Sequence, residues 1–325
     1  MIERFYTLAF NTFIETVRQP IYAVIVVATA ILMIFNVSLA AFTLSDDDKL
    51  LLDLGLSTLL LSGLFLSVFS ATGVLTREIE NKTVMTVVSK PISRPTFLLG
   101  KYVGLLAALA VAYYVSFLIF VLAQRHGVMQ RSSDPWDAPV LVFGFGGALL
   151  AFAIAGFCNY FYRLHYSTTA IGLAAAFLTF AVLLAAVLDE HWTVIEFGSN
   201  LVSGQVVVAA YLIFLVSMII AAVALAASTR FGQLVTLVIC TAVLGLGIVS
   251  DYAFGQHEAG NKAAWFAYRV VPNVGPFWII DGLTSGSEET VAPASYVLLA
   301  TGYAVVMTVG VLCIGVALFQ KREVG

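Results

Sequence analysis

Residues 205–228 read QVVVAAYLIFLVSMIIAAVALAAS and contain no charged side chain. A helix needs about 20 apolar residues to cross the hydrocarbon core of a bilayer, so this stretch predicts a transmembrane span. The chain contains other uncharged runs of similar length, at 21–43, 54–75, 102–124, 139–161, 167–188, 231–250 and 293–319. The sequence therefore predicts an all-α, polytopic membrane helical bundle with about eight spans.

The composition points to the same class of protein. Hydrophobic residues make up 61% of the chain and charged residues 11%, whereas soluble domains carry about 25% charged residues. A soluble globule with this composition would expose large apolar patches and aggregate. The net charge of −3 is too small to indicate nucleic acid as a partner.

The basic residues orient the spans. If both termini are cytoplasmic, the cytoplasmic segments hold 11 of the 16 Lys and Arg residues, and the opposite side holds 14 of the 19 acidic residues. This asymmetry satisfies the positive-inside rule. These cytoplasmic segments are 1–20, 76–101, 162–166, 229–230 and 320–325. We therefore predict that both termini lie in the cytoplasm.

The first 20 residues show a second pattern. Apolar side chains recur at helical spacing from Ile2 to Val17, with charged and polar residues between them. This pattern predicts an amphipathic helix over 1–20 that lies in the inner membrane interface. We predict that 21–319 form a single transmembrane domain and that 320–325 form a basic cytoplasmic tail.

The predicted spans lack the charged residues that proton pumps and ion-coupled transporters use. No Asp, Glu, Lys or Arg lies in their interiors, which argues against a proton pump or an ion-coupled transporter. Cys158, Cys240 and Cys313 are predicted to be small apolar residues within helices, and no phosphate-binding loop or metal motif occurs. We predict no catalytic, cofactor-binding or metal-binding residue, so any energy for transport comes from another subunit.

The loop 76–101 is the most charged stretch and reads TREIENKTVMTVVSKPISRPTFLLGK. Its first residues suit a short helix that continues the second span, and Pro91 is expected to end that helix. Pro95 fits the first turn of the helix that leads into the third span. From the residues alone, two interpretations stay open: a charged loop that anchors two spans, or a docking element for a cytoplasmic partner.

The motif in this loop resembles the first cytoplasmic loop of type-2 ABC exporter permeases. It runs Arg-Glu-Ile-Glu, then Thr, then Ser-Lys-Pro-Ile-Ser-Arg, then Leu-Gly-Lys-Tyr. In that family the loop is a coupling helix that docks on the ATP-binding subunit. The resemblance implies that the docking residues here are Arg77, Glu78, Glu80, Thr83, Lys90, Pro91, Arg94, Gly100 and Lys101.

The resemblance also implies a function. The chain would be the permease subunit of an ATP-driven exporter in the bacterial inner membrane, moving an unidentified substrate. It would pair with a second copy or a similar permease and bind two ATP-binding subunits. Those subunits would hold the ATP and Mg, so the permease itself would not be an enzyme. The family core has six spans, whereas the sequence predicts eight, so no substrate path is carried over.

The segment 254–292 is the longest predicted external loop. Its aromatic residues prefer the membrane–water interface, so it is expected to lie flat as a short helix or to enter the membrane and return. In the family this region is re-entrant and caps the external side of the pathway. An interfacial lid without substrate contact stays equally open.

Functions from other classes also stay open. A membrane-embedded enzyme needs titratable groups gathered at one membrane depth, and the spans offer none. A channel or an ATP-independent carrier is disfavoured by the uncharged spans. A non-transporting membrane scaffold or assembly factor is harder to exclude from the sequence.

Overall fold

The computed structural model describes six ranges of the chain, and for Ile2, Thr76–Glu80 and Ala263 it describes the backbone alone. The ranges are 2–42, 47–80, 93–129, 136–257, 261–280 and 292–320. Within them the chain forms α-helices, two short 3₁₀ turns and no strand. An isolated bridge joins Leu188 and Val194.

Eleven α-helices follow one another in the described ranges. They are α1 (Ile2–Val17), α2 (Pro20–Ala40), α3 (Asp47–Glu80), α4 (Arg94–His126), α5 (Ala138–Tyr162), α6 (Tyr166–Ala185), α7 (Gly204–Ser228), α8 (Gln233–Ile248), α9 (Ser250–Ala253), α10 (Lys262–Val270) and α11 (Ala294–Gln320). The 3₁₀ turns cover Gly255–His257 and Gly275–Phe277.

Local signals explain where two of these helices begin. Ser93 precedes α4, and its Oγ accepts the Thr96 backbone N–H at 3.3 Å. Asp137 precedes α5, and its Oδ1 accepts the Val140 backbone N–H at 3.1 Å. Each side chain satisfies an N–H group that the first turn of a helix leaves unpaired. At the other end of α5, Arg163 adopts a left-handed conformation with φ 55°, which stops the helix.

Seven of the described helices are long and apolar enough to cross a membrane. They are α2, α3 as far as Leu75, α4, α5, α6, α7 and α11. Each overlaps one of the runs that the sequence predicts as a span. The prediction of an all-α, polytopic membrane protein is confirmed.

The eighth predicted span, 231–250, has a different form. It contains α8, which ends at Ile248, and the helical segment Ser250–His257 then departs from α8 by 68°. Gly247 lies next to the bend, and a Cβ there would lie 2.5 Å from the Pro272 backbone oxygen. The described residues therefore contain seven helices that could each cross a membrane, or eight if this bent pair counts as one.

The chain divides into two compact units. The first unit comprises Met1–Thr16, Gly63–Leu109 and Tyr211–Gly325. Its helices approach closely at small residues: a Cβ on Gly63 would lie 2.2 Å from the Ser217 Oγ. Polar side chains add links between helices, as where the Tyr102 hydroxyl donates to the Met218 backbone oxygen at 3.0 Å.

The second unit comprises Val17–Ser62 and Ala110–Ala210. In it α5 and α6 pack along each other as a helical hairpin, and Gly147 of α5 lies against Phe177 of α6. The Asn36 amide of α2 donates to the Thr58 hydroxyl of α3 at 2.9 Å, so this polar residue bonds across helices.

The spans differ in how far the protein buries them. In α3 and α7, 78% and 72% of the span residues are buried, whereas in α5 and α11 the share is 22%. The residues left exposed on α5 and α11 are mainly apolar, and apolar side chains that face lipid tails are in a favourable solvent. The burial pattern is therefore that of central and peripheral helices in a membrane bundle.

Candidate functional site

The predicted docking residues fall into three groups. Arg77, Glu78 and Glu80 lie on α3, whose backbone stays helical beyond the span at Leu75, but their side chains are outside the described part. The predictions for Thr83, Lys90 and Pro91 also lie outside the described residues. The structure describes the remaining three, Arg94, Gly100 and Lys101, which all lie in the first turns of α4.

Arg94 is the first residue of α4, and its guanidinium contacts the end of α11. Its Nη1 donates to the Gln320 backbone oxygen at 2.5 Å and lies 3.4 Å from the Phe319 oxygen. The last carbonyl groups of a helix have no partner within the helix, and they carry its partial negative charge. Arg94 therefore caps the carboxyl-terminal end of α11.

Arg230 caps the same helix end from another segment. It lies in the short turn between α7 and α8, and its Nε and Nη2 both donate to the Leu318 backbone oxygen, at 3.1 and 2.7 Å. The sequence showed Arg230 only as a basic residue in a predicted cytoplasmic turn. The local sequence pattern does not indicate which group accepts the hydrogen bonds of Arg230, because Leu318 lies 88 residues further along the chain.

Apolar packing joins the same three segments. The rings of Phe97 and Phe319 stack with centroids 5.7 Å apart and planes 13° apart. A Cβ on Gly315 would lie 3.0 Å from the Ala226 Cβ and 3.2 Å from the Leu98 Cδ2. The last turns of α11 therefore pack against both the start of α4 and the end of α7.

Gly100 and Gly104 bring α4 against α1. A Cβ on Gly100 would lie 2.8 Å from the Leu8 side chain, and one on Gly104 would lie 2.3 Å from the Ala9 backbone oxygen. Two glycines four residues apart lie on one helix face, so α1 can approach the backbone of α4. The predicted docking residue Gly100 thus packs against the amino-terminal helix.

The Lys101 side chain also approaches α1. Its side chain is 2% exposed, and its ammonium lies 3.7 Å from the Glu15 carboxylate and 5.7 Å from the centre of the Phe97 ring. A buried ammonium requires compensation by nearby charge. Contact of Arg94, Gly100 and Lys101 with an ATP-binding subunit stays a prediction, since the structure gives each of them a partner within the chain.

The amino-terminal half of α11 holds a different segment. The Tyr303 hydroxyl accepts the Asn273 backbone N–H at 2.8 Å, and the Tyr296 hydroxyl donates to the Pro276 backbone oxygen. The Asn273 side chain in turn donates to the Asp251 carboxylate at 2.6 Å. The segment 273–277, within the predicted external loop, is therefore tied both to α11 and to α9.

An open groove lies beside α10, with a volume of ≈ 800 Å³. Three alanines line it together with Phe254, Gln256, His257 and Asn261. The lining includes hydrogen-bonding side chains and no Asp, Glu, Lys or Arg. In the part of the chain that the structure describes, no group of three or more His, Cys, Asp or Glu residues could hold a metal ion.

The described residues define a polytopic helical membrane protein whose charged loop joins two long helices at their ends. A family model described as ABC-2 family transporter protein matches residues 6–324, so the chain belongs to the ABC-2 family of transporter proteins. The resemblance that the motif in 76–101 predicted is thereby confirmed. A comparison with curated protein sequences gives no match.

Proposed function

We propose that this chain is the membrane-spanning permease subunit of an ATP-driven exporter in the bacterial inner membrane. The loop 76–101 is the docking element for a separate ATP-binding subunit, which holds ATP and Mg. Membership of the ABC-2 family over residues 6–324 supports this proposal. The permease moves a substrate that its sequence does not identify and catalyses no covalent chemistry itself.

The docking proposal rests on family membership, and the contacts around the start of α4 indicate which elements a docked partner would act on. Arg94, two residues beyond the undescribed part of the loop, contacts α11, and Lys101 contacts α1. A partner that pushes on the loop therefore acts on a helix start that is already bonded to two other elements. Rigid packed helices of this kind transmit displacement rather than absorb it.

The proposed assembly contains two permeases and two ATP-binding subunits. The second permease is another copy of this chain or a similar one, and both termini lie in the cytoplasm. ATP binding closes the pair of ATP-binding subunits and shifts the permease between two states. Such a shift requires that the nucleotide-bound subunits favour one permease state over the other.

A charge-reversal experiment tests the docking proposal. The double variant Glu78→Arg, Glu80→Arg is coexpressed with an ATP-binding subunit that copurifies with the unaltered chain, and copurification and ATP turnover are measured. We expect both to fall sharply, because the two carboxylates of the proposed docking element are replaced by cations. The matched control is Glu190→Arg with Glu196→Arg, on the opposite predicted side, which should leave both unchanged. Equal retention of the partner by the two double variants would remove the docking proposal.

Cysteine labelling tests the orientation. Cys158, Cys240 and Cys313 are first replaced by serine, and single cysteines are then introduced at Ser45, Lys82 or Gly286 in intact cells. An impermeant maleimide should label the cysteines at Ser45 and Gly286 and leave the one at Lys82 unlabelled until the cells are opened. Labelling at Lys82 in sealed cells would overturn the proposed orientation.

A further inference from the structure

We propose that α11 is a rigid strut that links the start of α4, at the end of the loop 76–101, to the segment 273–277. The proposal assigns positioning roles to Arg94 and Arg230 at one end of the strut and to Tyr296 and Tyr303 at the other. It deepens the proposed function, because it states which segment is displaced when a partner displaces the loop 76–101. Its physiological meaning rests on that proposed function.

The carboxyl-terminal end of the strut is held from two sides. Arg94 donates to the Gln320 backbone oxygen, and Arg230 donates twice to the Leu318 backbone oxygen. An arginine presents its donors in a fixed fork, so each bond sets the position of the helix end as well as adding stability. The helix end cannot shift without breaking bonds to both the start of α4 and the turn after α7.

Apolar contacts also hold the carboxyl-terminal end of α11 in place. Phe319 is 3% exposed and stacks on Phe97, and Gly315 lies in close contact with both Ala226 and Leu98. Side chains packed at this density resist small displacements and tend to move together. Movement of the first turn of α4 is therefore passed to the last turns of α11.

The helix between the two ends is continuous. It runs without a break from Ala294 to Gln320, and the 15 residues that separate Tyr303 from Leu318 correspond to about 22 Å along the axis. Within the amino-terminal end of α11, the Tyr211 hydroxyl lies 3.1 Å from the Thr301 hydroxyl. A regular helix of this length moves as a rod when one end is displaced.

The other end of the rod holds the segment 273–277. Tyr303 accepts the Asn273 backbone N–H, Tyr296 donates to the Pro276 backbone oxygen, and the Phe277 and Tyr303 ring centroids are 6.0 Å apart. These bonds are made to the backbone of the segment, so a shift of α11 displaces the segment itself. The strut therefore couples the start of α4 to the predicted external side.

Hydrogen exchange of the full chain in lipid nanodiscs, without an ATP-binding subunit, tests the strut. In the double variant Arg94→Gln, Arg230→Gln, we expect roughly tenfold faster exchange at residues 316–320 and also at Asn273 and Val274. The control is Arg4→Gln, which removes an exposed arginine from α1 in the same unit. Faster exchange at 316–320 alone would overturn the proposal, since a purely local cap would give that result.

A reciprocal variant keeps the proposal testable if the double variant fails to fold. Tyr303→Phe removes the acceptor of the Asn273 N–H and leaves both arginines in place. A strut predicts faster exchange at 316–320 in this variant, and unchanged exchange there would contradict it. Because these measurements need no partner, their failure would overturn the strut and leave the docking proposal to its own copurification test.

Discussion

Two cationic side chains of α4 are equally buried but differ in the geometry of their ion pairs. The side chains of Lys101 and Arg125 are each 2% exposed. Arg125 donates to the Asp137 carboxylate at 2.9 Å and to the Leu188 backbone oxygen at 2.5 Å. Lys101 lies 3.7 Å from the Glu15 carboxylate, which is beyond hydrogen-bonding distance, and the Glu15 side chain is 34% exposed.

The difference indicates which ion pair holds a fixed geometry. A buried guanidinium bonded to a carboxylate that is only 10% exposed loses its counter-charge when the carboxylate is removed. A pair whose carboxylate is one-third exposed can be hydrated on one side, and its geometry can change at small cost. We infer that the Arg125–Asp137 pair has a more fixed geometry than the Lys101–Glu15 pair.

Removal of the Asp137 carboxylate tests the fixed pair and has the largest expected effect. Asp137→Ala leaves Arg125 buried without its anion and also removes the cap of α5. We expect the free energy of unfolding to fall by about 3–5 kcal/mol, measured by titration with denaturing detergent in mixed micelles. Asp137→Asn, which retains a capping oxygen, should lose less.

The control for this prediction is Asp48→Ala, which removes an exposed carboxylate from the first turn of α3. It should lower the free energy of unfolding by about 1 kcal/mol or less, the value expected for a charge near a helix terminus. Equal losses for Asp137→Ala and Asp48→Ala would show that the Arg125 pair holds no fixed geometry.

The next variant asks whether packing rather than charge holds α1 on α4. In Gly104→Ala the added Cβ would lie 2.3 Å from the Ala9 backbone oxygen and 2.6 Å from the Thr12 Cβ. We expect a loss of about 1–3 kcal/mol, typical of an overpacked contact, together with faster hydrogen exchange in α1. In Gly302→Ala no atom lies within 4 Å of the added Cβ, so this control should be neutral or stabilise α11 by about 0.5–1 kcal/mol. Equal exchange in α1 for both variants would contradict the packing explanation.

The sequence predicted the spans because hydrocarbon excludes charge, and that rule acts on each residue separately. Seven predicted spans overlap helices long enough to cross a membrane. The eighth run, 231–250, contains α8, but the 68° bend after Ile248 was not predicted. Beside this bend, the Pro272 backbone oxygen approaches the site at Gly247 where a side chain would lie. Hydropathy along the chain contains no information about such an approach.

The candidate site was predictable only in part, for a related reason. The motif in 76–101 placed Arg94 and Lys101 correctly near the start of a helix, since Pro95 fits a first turn. It could not supply their partners, because the Gln320 oxygen lies 226 residues from Arg94 in the chain. Arg230 was missed altogether, since an arginine in a short turn has the same pattern whether it caps a helix or contacts solvent.

Neutralising the carboxylate of the looser pair should have a smaller effect than the Asp137 variant. Glu15→Gln leaves the Lys101 ammonium buried, with the Phe97 ring still 5.7 Å away. We expect the free energy of unfolding to fall by about 1–2 kcal/mol, below the range for a fully buried pair that loses one partner. A loss as large as that of Asp137→Ala would show that the two pairs are equivalent and would remove the comparison.

Removal of the Lys101 charge should have the smallest effect. Lys101→Met keeps an unbranched apolar stem of similar length and leaves Glu15 one-third exposed, where water can solvate the carboxylate. We therefore expect the free energy of unfolding to change by less than about 1 kcal/mol. The matched variant Arg125→Met strands the more deeply buried Asp137 and should cost more. If Lys101→Met were as harmful as Arg125→Met in the same detergent titration, the two ion pairs would contribute equally to stability, and the inferred difference between them would be wrong.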